Sequence, residues 1–282
     1  MKHFLLLLTL SVSLATSGCV AFRSGAKKHR HSSTIEFLYP KGRAMTDQPG
    51  IPHLKLPLSV GIAFVPDSRQ GHHRSAGPPE ERKMELLEAV AKQFKERPFI
   101  RSIEIIPTTY LKPGGGFANL GQLRTMLGID VIALVAYDQI QHTDEDWASL
   151  SYLTIVGAFV VRGEKNDTST MLDTSVFHIP SRKLLFRAPG TSQIKARATL
   201  VNHSEQLRKD AHLGMADANV QMIANLGREL DRFKKRVKEQ PKQFKVSHAA
   251  GYHGAGNLGP VGGLLICLLL LIAWRRDQFP AQ

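Results

Sequence analysis

Two apolar runs, Phe4–Leu14 and Leu264–Trp274, frame this chain and limit what can fold between them. The first follows Met1-Lys2-His3 and precedes the small residues Ala15-Thr16-Ser17-Gly18. A basic start, an apolar core of about a dozen residues and a small-residue cleavage site read as a secretory signal peptide. The run falls short of the roughly 20 residues an ordinary transmembrane helix needs. A helix from Leu258 to Trp274 would be about 26 Å long at ~1.5 Å per residue, slightly under a hydrocarbon core of ~30 Å. Trp274 suits the headgroup level, and Arg275 and Arg276 are stop-transfer charges expected to stay cytoplasmic. Lys2 is expected to stay inside as well, so both flanks place the intervening body across the membrane.

The two cysteines, Cys19 and Cys267, each sit in or beside one of these end segments, so they are not a disulfide framework. Thr16-Ser17-Gly18-Cys19 resembles the bacterial lipobox, with Thr16 standing where the pattern prefers Leu. Ser17 and Gly18 let the chain lie extended in a peptidase groove. The resemblance implies that lipoprotein signal peptidase cuts before Cys19 and that the Cys19 thiol carries a diacylglycerol. Val20, being other than Asp, implies transport to the outer membrane and from there an outer-membrane or cell-surface location. The alternative is cleavage by ordinary signal peptidase with Cys19 an incidental neighbour.

Ahead of the rear apolar run lie Gly251, Gly254, Gly256, Gly259, Pro260, Gly262 and Gly263. Each Gly weakens a helix by about 1 kcal/mol and Pro by about 3 kcal/mol. An intramembrane protease must unwind its substrate to reach a peptide carbonyl, and this stretch is poised for that. It resembles the GlyGly-CTERM sorting tail, which implies a rhomboid-family protease, rhombosortase, cutting in the region of Gly259, Pro260, Gly262 and Gly263. A permanent single-span anchor behind a flexible linker is the alternative. A GPI signal has a similar layout, but the lipobox points to a bacterium.

The expected divisions are a signal peptide over 1–18, a basic tether leading into the domain over 19–50, a domain over 51–241, a Gly-rich linker over 242–263 and the apolar segment with its Arg-rich end over 264–282. Apolar residues at 43% exclude general disorder. The formal charge of +13 suits contact with anionic headgroups, lipopolysaccharide or cell-wall polymer. A basic solvated surface with no dedicated partner fits as well, and no specific nucleic-acid partner is expected. Lys27-Lys28-His29-Arg30-His31 belongs to the tether over 22–33. No carboxylate accompanies His29 and His31 locally, so no metal site is expected there.

In the body, Leu58–Val65 is a short β-branched-rich strand. The segment 69–79, with His72 and His73, is a loop. Met84, Leu87, Val90, Ala91 and Phe94 recur at helical steps, predicting a helix over 80–97 stopped by Pro98. Ile103–Ile106 is a strand. Lys112–Phe117 lacks the Gly-Lys-Ser/Thr ending of a phosphate loop and reads as a turn. A short helix over 120–127 closes on Gly128, and Ile129–Tyr137 is the most apolar strand. His142, Asp144, Glu145 and Asp146 read as a solvated loop, since consecutive residues do not converge on one ion. Strands over 153–162 and 170–179 flank a turn over 163–167, and 184–187 completes a hairpin after Pro180–Lys183. A long helix over 202–240, with a break expected near Gly214, carries an apolar stripe from Leu207 through Met215, Met222, Leu226, Leu230 and Phe233 to Val237. The stripe reads as core packing in preference to a binding groove. Lys234, Lys235, Arg236 and Lys238 complement the C-terminal end of the helix dipole.

This order predicts one α/β (α+β) sandwich domain, a mixed sheet flanked by helices. The segments LSVGIAFVP, KQFKERPF, LRTMLGIDVIALVAYD and TMLDTSVFHIPSRKLLFRA resemble the α/β domain of lipoproteins related to the curli-secretion lipoprotein. The order of lipobox, Ser32–Pro40, domain and GlyGly tail resembles the rhombotarget lipoprotein family over nearly the whole chain. That family is named for its processing and not for an activity. No G-x-S-x-G, H-E-x-x-H or Walker-type motif is present, and catalysis needs a nucleophile, a base and an oxyanion site together. A non-enzymatic binding or surface lipoprotein without catalytic residues, metal or cofactor is expected. The alternative is a homo-oligomeric component of an envelope secretion apparatus.

Overall fold

In the computed structural model, residues 27–40, 49–67, 77–145, 164–198 and 202–249 are described. The elements in chain order are β1 (Lys27–His31), α1 (Thr34–Leu38), β2 (His53–Leu56), β3 (Leu58–Phe64), α2 (Glu80–Phe94), β4 (Ile100–Ile105), α3 (Gly116–Leu127), β5 (Val131–Glu145), β6 (Glu164–His178), β7 (Lys183–Ala198), α4 (His203–Glu239) and β8 (Lys245–His248). The main sheet runs β4-β3-β5-β6-β7, with β1 also pairing β5. β3 lies parallel to both β4 and β5, while the four-residue turn Ile179–Arg182 folds β7 back along β6. The sheet is therefore mixed.

β3 and β5 are apolar on both faces because both faces are covered. Ile62 and Phe64 of β3 and Val131, Ala133, Val135 and Tyr137 of β5 enter one core, together with residues of α2 and α4. Ala63, Val65, Ile132, Leu134 and Ala136 enter the other, with Phe37 and Leu38 of α1 and Leu120 and Leu123 of α3. The period of two along each strand sorts alternate residues to opposite layers. At Gly190 a Cβ would come within 2.1 Å of the Ala218 carbonyl oxygen and 2.4 Å of the Met222 nitrogen, so only glycine lets β7 approach α4 this closely.

The buried face of α2 carries Lys83, Leu86, Leu87, Val90 and Phe94, rotated slightly from the expected stripe, with Met84 and Ala91 half-buried. The expected turn at Lys112–Gly115 is held by the Gly115 N–H donating to the Lys112 carbonyl. The helix after it begins at Gly116, four residues early, and ends on Gly128 in the left-handed conformation at φ 66°.

Several expectations are corrected. His142–Glu145, read as a loop, lies in β5, with Gln139, Gln141 and Thr143 buried at alternate positions. Glu164–Asp167, read as a turn, is the start of β6. α4 passes through Gly214 without a break, because a helical Gly costs only about 1 kcal/mol and buried Ala211 and Met215 flank it. Lys27–His31, read as tether, is β1, and Lys245–His248, read as linker, is β8. β8 pairs in parallel with β2, His53 opposite Lys245 and Leu56 opposite His248.

The described residues group into two compact units. Among the described residues the larger comprises 30–40, 49–67, 77–138, 170–192 and 215–249; the smaller comprises 27–29, 139–145, 164–169, 193–198 and 202–214. β5, β6 and β7 run 15, 15 and 16 residues, far beyond the mode of about 5–6, and their extensions belong to the smaller unit. Among the described residues no helix is long and apolar enough to cross a membrane. The segments 1–18 and 264–282 and the expected strand 153–162 lie outside the described residues.

Candidate functional site: an apolar cleft with a cationic mouth

The larger unit contains a cleft of about 990 Å³, open on one side. Its floor begins with a run of apolar residues at every second position: Leu54, Leu56, Leu58, Val60 and Ile62. Such alternation puts side chains on one face of extended chain, and here β2 hands the pattern to β3 across Pro57. One wall is α2, through Val90, Ala91 and Phe94. The opposite wall is the second half of α4, through Leu226, Leu230, Phe233 and Val237. Phe244 and Val246, leading into and within β8, help line the end.

The stripe along α4 thus has two roles. Met215, Ala218 and Met222 are packed in the core; Leu226 and Phe233 belong to the same buried cluster and, with Leu230 and Val237, also line the cleft. The space opens to solvent and is lined mainly by apolar side chains, the character of a small-molecule site. Water is a poor occupant, because it needs 2–4 polar partners and the lining is dominated by Leu, Val, Ile and Phe.

Every charged residue of the lining is basic: Arg97, Lys234 and Lys238, with His248 beside them. Arg97 and Lys234 are half-buried and Lys238 is exposed, so the charges sit where the cleft meets solvent. Arg97 lies 6.0 Å from the Phe94 ring centroid. The Lys234 ammonium lies 4.6 Å from the Phe99 ring centroid and 3.2 Å from Asp231 Oδ1, an exposed i,i+3 pair.

A second polar cluster sits past the carboxyl end of β3, beside the middle of β5. The buried Tyr137 hydroxyl donates to Asp67 Oδ1 at 2.8 Å, and the Gly77 N–H donates to Asp67 Oδ2 at 3.2 Å. Lys83 Nζ stands 3.7 Å from both Asp67 Oδ1 and Glu80 Oε2. Glu80 Oε1 accepts from the Thr108 N–H at 2.6 Å. Burial first, then the hydrogen bond and charge of Asp67, push the Tyr137 hydroxyl above its usual range, so it remains a donor. These bonds tie the chain after β3 to α2, β5 and the segment after β4, and this is a fastening of the fold.

The residues singled out for processing, Thr16, Ser17, Gly18, Cys19, Gly259, Pro260, Gly262, Gly263, Arg275 and Arg276, all lie outside the described residues. His29 and His31 fall in β1. Among the described residues no group of three or more His, Cys, Asp or Glu is arranged to hold a metal ion. The cleft was missed in the sequence, although the alternation from Leu54 to Ile62 was its available signal.

No protein-family model matches the chain, and no curated protein matches it. Among solved structures, it is similar to a neuraminyllactose-binding hemagglutinin homologue from Helicobacter pylori at 14% identity and a TM-score of 0.34, covering 72% of this chain and 97% of that one. It is also similar to a PelC dodecamer from Paraburkholderia phytofirmans at 9% identity and a TM-score of 0.25, covering 70% of this chain and 99% of that one. TM-scores of this size do not transfer a topology or an activity from either protein.

Proposed function

We propose that this chain is an exported bacterial envelope lipoprotein whose larger unit is a non-enzymatic binding domain for an apolar or amphiphilic ligand. The observation that carries the binding role is the 990 Å³ apolar cleft between α2 and α4. Its volume lies at the upper end of the ~300–1,000 Å³ typical of small-molecule sites. The lipoprotein role rests on sequence: Cys19 behind Thr16-Ser17-Gly18, and Gly262-Gly263 ahead of the apolar run and Arg275-Arg276. In this account lipoprotein signal peptidase and rhombosortase process the two ends. The diacylglycerol on Cys19 then holds the protein to the membrane, at the outer membrane or cell surface.

The test is labelling with a clickable fatty acid followed by intact mass of the mature protein. Wild type should carry label and a mass consistent with an acylated N-terminus at Cys19 and a cut near Gly262-Gly263, and Cys19→Ala should lose the label. A labelled Cys19→Ala protein, or a full tail retained beside an active rhombosortase, would overturn the corresponding half. Assembly into a secretion collar is the alternative role. A monodisperse monomer at high concentration, with and without detergent, counts against that alternative.

A further inference from the structure

Resting on the binding-domain role just given, we infer that the ligand of the cleft is an anionic phospholipid, its acyl chains lying between α2 and α4 and its phosphate held by Arg97, Lys234 and Lys238. Three observations converge. The cleft interior is hydrocarbon in character, so it selects the chains and not a sugar or a nucleotide. Its volume of about 990 Å³, at ~30 Å³ per non-hydrogen atom, the liquid share of a water, holds on the order of 30 such atoms, the size of lipid tails. Every charged residue of the lining is basic, so the head of the lipid that suits the mouth is negative.

The three cations come from two elements that the cleft separates. Lys234 and Lys238 are one turn apart on α4 and point to one face, while Arg97 stands three residues past the end of α2. Lys234 reaches over Phe99, which draws the two sides of the mouth together around the place a phosphate would take. Asp231 pairs with Lys234 at 3.2 Å, but both are solvent-accessible, and a pair of that kind is worth little. Lys238 has no acidic partner among the described residues. The chain leaves β8 at His248, and its apolar tail begins at Leu264. Until the cut proposed near Gly262-Gly263, the mouth is joined through a short run of residues to the apolar tail; afterwards the diacylglycerol proposed on Cys19 keeps the protein at a membrane, where anionic lipid is found.

Native mass spectrometry of the full chain, released from mild detergent micelles doped equally with phosphatidylglycerol and phosphatidylcholine, tests this. Denaturing mass separates lipid bound in the cleft from acyl groups bonded to Cys19. Wild type is expected to retain phosphatidylglycerol about tenfold over phosphatidylcholine, in keeping with the pull of clustered Lys and Arg on anionic lipid. Combined Arg97→Gln, Lys234→Gln and Lys238→Gln is expected to abolish that preference while some lipid is still retained. Ala91→Phe from one wall, or Leu230→Trp from the other, is expected to lower retention of both lipids.

Equal retention of the two lipids by wild type, or an undiminished preference in the triple variant, overturns the headgroup assignment and leaves the cleft a binding site. Retention unaffected by both blocking variants places the lipid outside the cleft and overturns the binding role as well. Lipid bound only after the segment from Leu264 is cleaved away would make the tail the resident occupant and overturn the lipid assignment for the intact chain.

Discussion

At the scale of single residues, His178 shows how burial sets chemistry. It ends β6 with only 3% of its surface exposed, and the Ser181 N–H donates to its Nδ1 at 3.3 Å. The Ser181 hydroxyl lies 2.8 Å from the same nitrogen. Burial, the largest influence, lowers the ring below its ordinary value, with the Asp130 charge opposing. The folded state thus favours the neutral ring, while the unfolded chain takes up a proton near pH 6.5. Stability from this residue is present above about pH 6.5 and is lost as the pH falls below it, since the unfolded state then binds more protons. Denaturant midpoints measured from pH 7.5 to 5 should fall more steeply in wild type than in His178→Gln. Identical slopes would remove His178 from the account. Nothing near His178 in the sequence announced this role, because its partners become neighbours only when the turn Ile179–Arg182 closes.

At the scale of elements, the extended parts of β5 and β6 explain why the sequence reading stopped short. Inward positions there are polar: Gln139, Gln141 and Thr143 on β5, Asn166 and Thr168 on β6. A search for alternating apolar residues passes over them. Within the smaller unit, Gln139 Nε2 donates to the Ala211 carbonyl at 3.1 Å and Gln141 Nε2 to the Leu207 carbonyl at 2.8 Å. Two residues along a strand advance about 6.6 Å and four along a helix about 6 Å, so successive inward Gln side chains meet successive turns of α4. Gln141→Met, which keeps the volume and removes the donor, should cost about 1–2 kcal/mol in chemical denaturation. Unchanged stability would mean that these bonds do not register the strand on the helix. β3, α2 and α3 were legible because most of their buried positions, Lys83 and Asn119 aside, are apolar at the right period. β2 and β8 were not, since each has only four residues and its pairing partner lies near the other end of the domain.

At the scale of the whole molecule, the cleft sets binding against stability. Filling it from α2 with Ala91→Phe should raise the unfolding free energy of lipid-free protein by about 1 kcal/mol through added apolar burial, while removing bound lipid. Stabilising a site at the expense of its function is a common outcome. A lipid-free Ala91→Phe protein no more stable than wild type would show that the cleft closes on its own when empty. The sequence by itself determined the framing of the chain by two apolar ends, the expectation of processing at Cys19 and near Gly262-Gly263, and the mixed α/β character of the body. Those features are local: each depends on residues adjacent in the chain or at a fixed helical or strand period. Only the tertiary structure decided that the second half of α4, while buried at Leu226 and Phe233, also lines a cleft, and that Arg97, Lys234 and Lys238 join that lining. A buried stripe and a cleft-lining stripe have the same period and the same composition. They differ only in how far the facing elements stand apart, which is a property of the folded chain.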